Sequence, residues 1–205
     1  MKIVTWSLRT TIAAILLIAC ATGNTKAGFI TYLETTTGSG TLGGVAFTNA
    51  LVTLTATADT SNVTDTSGFV TVHPTTATVS VDGFSPSTFT SSTFDVIDNQ
   101  SFSNNGITGI VGFGDTNSGT VLGDSNAAFQ SYSLTTSIGP LTGADFIRSD
   151  VTFATTAGGF VLSSAGPATF QAIIGVPEPS SLALSVIAGA IGLGVARTRR
   201  NRPAA

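Results

Sequence analysis

Along most of this chain apolar residues alternate with hydroxyl-bearing ones, a period of two that belongs to half-buried strands and not to helices. Leu51-Val52-Thr53-Leu54-Thr55-Ala56-Thr57 and Thr78-Val79-Ser80-Val81-Asp82 carry the pattern most clearly. Further strands are predicted over 28–33, 69–73, 93–97, 109–113, 129–135, 151–155, 159–163 and 168–174. Between them, 59–68, Asn104-Asn105-Gly106, 115–119 and 123–126 are rich in Gly, Asn and Asp, the residues that bond their own backbone or accept turn geometry. No amphipathic helical stretch intervenes. The expected fold is therefore all-β, an antiparallel β-sandwich or jelly roll, with closure into a barrel as the alternative. All thirteen phenylalanines lie between Phe29 and Phe170, and are expected to fill the space between two sheets about 10 Å apart. No repeat of fixed period is present.

The alternation stops at both ends. Lys2 and Arg9 precede the mostly apolar run Thr11 to Ala19, the layout of a secretory signal peptide. That run falls short of the roughly 20 residues a spanning helix needs, which favours cleavage over a permanent anchor. Small residues at Thr25-Lys26-Ala27 and at Ala19-Cys20-Ala21 offer two sites; cleavage after Ala27 is preferred because it starts the mature chain at Gly28, on a strand. Leu17-Ile18-Ala19-Cys20 resembles a lipobox, the alternative in which Cys20 is lipidated. Cleavage after Ala27 removes the chain's one cysteine, so no disulfide forms and packing alone must hold the fold. About 150 residues suffice, since a chain of that size buries close to 70% of its unfolded surface.

At the other end Val176-Pro177-Glu178-Pro179 is followed by Leu182 to Ala196 without a charge, then by Arg197, Arg199, Arg200 and Arg202. The two prolines hold Glu178 in an extended, non-helical segment that an enzyme can thread through a cleft. The uncharged run makes about 22 Å of helix at 1.5 Å per residue, marginal against a core of ~30 Å but extendable by snorkelling arginines and local thinning. The arginine cluster fixes that end in the cytoplasm and leaves the preceding domain outside, the topology that a signal peptide also gives. The organisation is thus a signal peptide over 1–27, an exported domain over 28–175 and a tail over 176–205, with a helix flanking the β domain at each end.

This tail resembles the PEP-CTERM sorting domain of bacteria that secrete exopolysaccharide, in its Pro-Glu-Pro motif, apolar helix and terminal arginines. The small residues Gly189, Gly192 and Gly194 within the helix match as well, although they suit any membrane-helix contact. The resemblance covers about thirty residues. It implies recognition by a membrane-embedded exosortase that cleaves near the motif, hence transient anchoring in the inner membrane followed by release to the cell envelope or extracellular matrix.

Charge narrows the remaining choices. Between Gly28 and Gly175 ten acids face one base, Arg148, a net charge of −9 that repels phosphate backbones and excludes nucleic acid as partner. Asp115, Asn117, Asp124 and Asn126 place hard oxygens at alternate positions, as loops that wrap calcium do. The acid at the fifth position and the glutamate at the twelfth that an EF-hand needs are missing, so plain turns are the preferred reading and calcium the alternative. Ser125 within Gly123-Asp124-Ser125 would need a base, and the one histidine, His73, lies upstream in an order unlike that of serine hydrolases. A zinc site would have only carboxylates to use, and glycosidase chemistry would need two acids brought together by the fold. Trp6 leaves with the signal peptide, which weakens a lectin reading, while surface Thr and Ser offer sites for glycans. The expectation is a non-enzymatic, exported surface or biofilm-matrix protein with no cofactor, associated with exopolysaccharide; the alternative is a calcium- or polysaccharide-binding adhesion module.

Overall fold

A computed structural model describes residues 28–104, 106–116 and 119–175. The signal segment, the Pro-Glu-Pro motif, the apolar run, the arginine cluster, Ala27 and Asn117 lie outside them. The described chain is all-β and antiparallel, as the alternation requires, with two short 3-10 turns and no α-helix. Among these residues no helix is long and apolar enough to cross a membrane.

The longest pairing is a hairpin of β1 (Phe29–Leu42) and β2 (Val45–Asp59), joined through Gly43 and Gly44 at φ 61° and 81°. Two successive positive φ angles make the tight turn whose twist matches that of the strands, and glycine adopts them without strain. Alternation then does what it predicts: Ile30, Tyr32 and Glu34 of β1 and Val52, Leu54 and Ala56 of β2 are fully buried on one face. On its other edge β1 is shared. Its first half pairs with β13 (Ala168–Ile174) and its second with β12 (Gly158–Ala165), which carries β11 (Phe153–Thr155).

Beyond β2 come β5 (Thr76–Val81) and β6 (Ser87–Thr88). The chain after β6 returns to β11 through a Phe89–Thr155 bridge and bonds from Thr90 N–H to Ala154 O (3.0 Å) and Thr156 N–H to Thr88 O (2.9 Å). The second arm runs β3 (Thr64–Thr66), β4 (Phe69–Val72), β7 (Phe94–Asn104), β8 (Ile107–Asp115) and β9 (Gly119–Ser125). Strand β10 (Ile138–Phe146) joins the arms: Leu141 to Gly143 pair with β13, and Ala144 to Phe146 with β9. All thirteen strands thus belong to one hydrogen-bonded sheet, curled around a single core, in place of two separate layers. A sheet of this width must curl because each strand is rotated against its neighbour, and curling lets one apolar face cover itself.

Aromatic rings bridge the arms. Phe170 of β13 meets Phe129 edge-on at 5.7 Å and both Tyr32 and Tyr132 at 6.2 Å, while Phe89 stacks on Phe94 at 4.1 Å. The expectation that every phenylalanine fills the core needs correction, because Phe29, Phe69 and Phe102 are exposed. Three local readings change as well. The strand expected over 129–135 is a 3-10 turn (Ala127–Ser131) followed by a loop; the Asn126 side chain accepts from Ala128 N–H and so caps a turn in place of a strand. The turn expected over 123–126 is mostly strand β9, whose burial overrides the turn preference of Gly, Asp and Ser. Strand β10 is absent from the strands expected above; it carries Gly139-Pro140, a pair usual in turns, which the structure absorbs as an irregularity between Ile138 and Leu141.

Candidate functional site

Of the residues considered for calcium, Asn117 lies outside the described residues, and Asp115, Asp124 and Asn126 do not converge. Asp115 ends β8 opposite Gly119, and its carboxylate accepts from Thr93 Oγ1 at 2.7 Å and from Ser91 Oγ. Asp124 sits on β9 opposite Val111, four positions along β8 from Asp115, or about 13 Å at strand rise, with Phe113 between. Asn126 has left the strand and its side-chain oxygen caps the 3-10 turn. The hairpin therefore separates by strand length what the sequence places close together. Among the described residues, no three His, Cys, Asp or Glu side chains group as a metal site. Ser125 is buried on β9 opposite Ile110, while His73 follows β4 and pairs through Nδ1 with Asp95 Oδ1 at 3.0 Å. Asp95 lies opposite Gly114, again four positions along β8 from Ile110, so Ser125 and His73 do not meet.

What the register does assemble is a row of acids. Reading across the second arm, Asp65, Val70, Asp98, Val111, Asp124 and Asp145 stand opposite one another on successive strands from β3 to β10. Residues directly opposite in an antiparallel ladder share a face, and this is the inner one, where Val70, Asp98, Val111 and Asp124 are all buried. From the other arm Glu34, also fully buried, adds a third buried carboxyl group close enough to Asp124 to feel its charge. None of the six carboxyl oxygens of Glu34, Asp98 and Asp124 makes a hydrogen bond of good geometry, and only the Phe113 and Phe170 N–H groups offer Glu34 and Asp124 a weak pull.

Close approach at the strand crossover makes room for Asp124. A Cβ on Gly143 of β10 would lie 2.1 Å from Asp124 Oδ1 and from the Ser125 carbonyl, so only glycine fits. An unpaired ionised carboxylate is costly in such surroundings, and burial shifts these groups toward the protonated form. Burial, reinforced by the charge of Asp65, pushes Asp98 up to about 8. Burial pushes Asp124 up to about 7, against a smaller opposing pull from the Phe170 N–H. For Glu34, burial and then the charge of Asp124 raise the value well above the carboxylate range, and the nearby Phe113 N–H offsets part of it. Two buried phenols complete the interior: Tyr32 donates to the Leu134 carbonyl and Tyr132 to the Thr136 carbonyl (2.9 Å), tying the loop after the 3-10 turn into the core.

The outer face of the same arm carries a groove of about 260 Å³ between Phe69, Ile97, Phe102, Ile110 and Phe146, with Asp115 and Thr120 at one end. Phe102 and Phe146 meet edge-on at 5.2 Å. An aromatic floor with a few polar groups at its end suits a small apolar or sugar-like surface. Nothing in the sequence points to it, since strand alternation does not say which face is covered. A smaller cavity of about 170 Å³ lies beside the His73–Asp95 pair, between Thr88, Thr90 and Ser91. In comparisons with known proteins, no family model, no curated protein and no solved structure matches this chain.

Proposed function

We propose that this is a non-enzymatic exported surface or extracellular-matrix protein, carried to the envelope by an exosortase acting on its Pro-Glu-Pro tail. The observation that carries the reading is the three-part order of the last thirty residues: Val176-Pro177-Glu178-Pro179, the uncharged Leu182 to Ala196, then four arginines. Each part has its own physical job, respectively an extended cleavage segment, a membrane stop and an orientation lock. A signal peptide over 1–27 gives the same topology independently. In this reading a signal helix and a membrane helix flank the curled β domain, whose arms face each other like the layers of a sandwich. The domain stands outside the inner membrane until the tail is cut, then passes to the envelope or to an exopolysaccharide matrix. With no mature cysteine and a net charge of −9, it is built to stay soluble there without disulfides.

A second reading, an adhesion module for polysaccharide, is favoured by the groove at Phe69, Phe102 and Phe146, where the exposed rings of Phe69 and Phe102 offer stacking surfaces. The test of the primary reading is the C-terminal boundary and intact mass of the mature protein in its native host, wild type against Glu178→Ala. Loss of the tail near Val176 in the wild type, blocked by the substitution, is the expected result. Retention of Arg197 to Arg202 in both would make this an ordinary anchored protein and overturn the sorting proposal.

A further inference from the structure

Both ends of the domain emerge at the same place. Ile30 of β1 lies opposite Ile174 of β13, and the Gly175 N–H donates to the Phe29 carbonyl at 2.8 Å, so the chain enters and leaves the fold side by side. This end of the sheet is capped by apolar side chains that nothing in the domain covers. Phe29 is 57% exposed, Ile173 52% and Ile174 37%. Phe29 stands two residues from Thr31, the partner of Ile173, so Phe29 and Ile173 are diagonal neighbours on the outer face. Around them the groups are hydroxyl or backbone: Ser137 Oγ accepts from Ile174 N–H, and Thr60 N–H donates to Gly28 O.

Among the described residues that pair with or bond to this end, Asp59 is the one charged side chain, and its carboxylate is engaged by Ser61 N–H and Oγ at 2.9 and 2.7 Å. Among these residues, the end where the termini leave thus carries a single acid, Asp59, and no base.

The length of chain beyond this end says what lies against it. Six residues, 176–181, separate Gly175 from the uncharged run that begins at Leu182. Fully extended they let the two stand at most about 25 Å apart. We propose that this apolar end, formed by Phe29, Ile173 and Ile174, rests on the lipid surface while the tail is held in the membrane. The inference rests on the reading of the tail as a membrane segment. An apolar tip ringed by hydroxyls and poor in acid suits the interface between headgroups and acyl chains, where a more acidic end would be repelled. It also fixes the orientation in which Glu178 is offered, since a domain seated on the bilayer keeps residues 176–179 at the membrane surface.

The test uses the chain left after signal-peptide cleavage, residues 28–205, which holds no cysteine of its own, reconstituted in phosphatidylethanolamine–phosphatidylglycerol vesicles and carrying a single labelled cysteine at Ile173→Cys or, as control, at Leu51→Cys. Leu51 is also an exposed strand residue, but it sits on β2 opposite Thr37, eight residues before Asp59 and so about 26 Å along the strand from it. A quencher attached to the lipid headgroup is expected to quench the label at 173 several-fold more than at 51. Adding Phe29→Ser and Ile174→Ser should bring 173 down to the level of 51 while the protein still resists alkaline wash. Equal quenching at both sites in wash-resistant protein overturns the lipid contact and leaves the tail reading standing. A label at 173 shielded from an aqueous quencher yet untouched by the lipid one overturns it too, assigning the patch to the protein's own tail or a second copy. Protein stripped by the wash refutes the tail reading and the inference with it.

Discussion

Asp98 offers the sharpest test of the interior. Replacing it with Asn keeps the shape of the side chain and removes its ability to ionise. In the folded protein Asp98 is fully buried, without a partner, and its pKa is pushed up from 3.8 to about 8. The native state then holds a proton that the unfolded chain releases above pH 4, so stability is full below pH 4 and falls as pH rises toward 8, above which it levels off. At 1.36 kcal/mol for each tenfold change in proton affinity, the loss across that window is roughly 6 kcal/mol for Asp98 alone. That is an upper figure, because hydration of an opened site limits the penalty, yet it rivals the 5–15 kcal/mol of total stability usual for a domain. Asp124, pushed up to about 7, adds a loss of the same sign between pH 4 and 7.

Asp59 and Asp150 act oppositely and only below this window, their pKa values held down by Ser61 and by Arg148. Urea unfolding followed by circular dichroism from pH 4.5 to 9 should therefore show a midpoint that falls steadily in the wild type. In Asp98→Asn the fall should be much shallower. At pH 4.5 the variant should be slightly less stable, by about 1–2 kcal/mol for an amide with unmet hydrogen bonds, and at pH 9 more stable by several kcal/mol, so the two curves cross. A wild-type stability that stays flat or rises over this range, or parallel curves for the two proteins, would show that Asp98 is solvated or paired and refute the reasoning.

Two further outcomes follow from the same packing. Gly143→Ala drives a methyl into Asp124 Oδ1 and the Ser125 carbonyl, and should cost about 2–3 kcal/mol or more, seen as a lower melting temperature; an unchanged melt would mean β10 does not cross so closely. Millimolar calcium, compared with a chelator, should leave the melting temperature unchanged, since Asp115 and Asp124 lie about 13 Å apart along the paired strands β8 and β9; a rise of several degrees would show that the hairpin rearranges to bind the ion.

Much of the fold was legible. Val52, Leu54 and Ala56 against Thr53, Thr55 and Thr57 announce a half-buried strand, and β2 buries the first set as expected. The failures share one cause. Gly123-Asp124-Ser125-Asn126 has the composition of a turn, and local preference names it one; only the approach of β8 on one side and β10 on the other turns it into an interior strand. The reverse holds for 129–135, where a period of two suggested a strand but one capping asparagine and the docking of Phe129 made a 3-10 turn. Local propensities are weak, of order 1 kcal/mol, and burial of a phenylalanine outweighs them.

The sequence by itself determined the period of the strands, the acidic balance of residues 28–175 and the two apolar runs that flank them. These are local or additive properties, carried by neighbours along the chain. Tertiary structure alone decided which face of each strand is covered, because alternation sorts residues into two sets and is silent on which set meets a partner. For that reason Glu34, Asp98 and Asp124, alike in sequence to any solvated acid, are enclosed by a sheet curled upon itself, while Phe29, Phe69 and Phe102, the natural filling of a core, are left outside it.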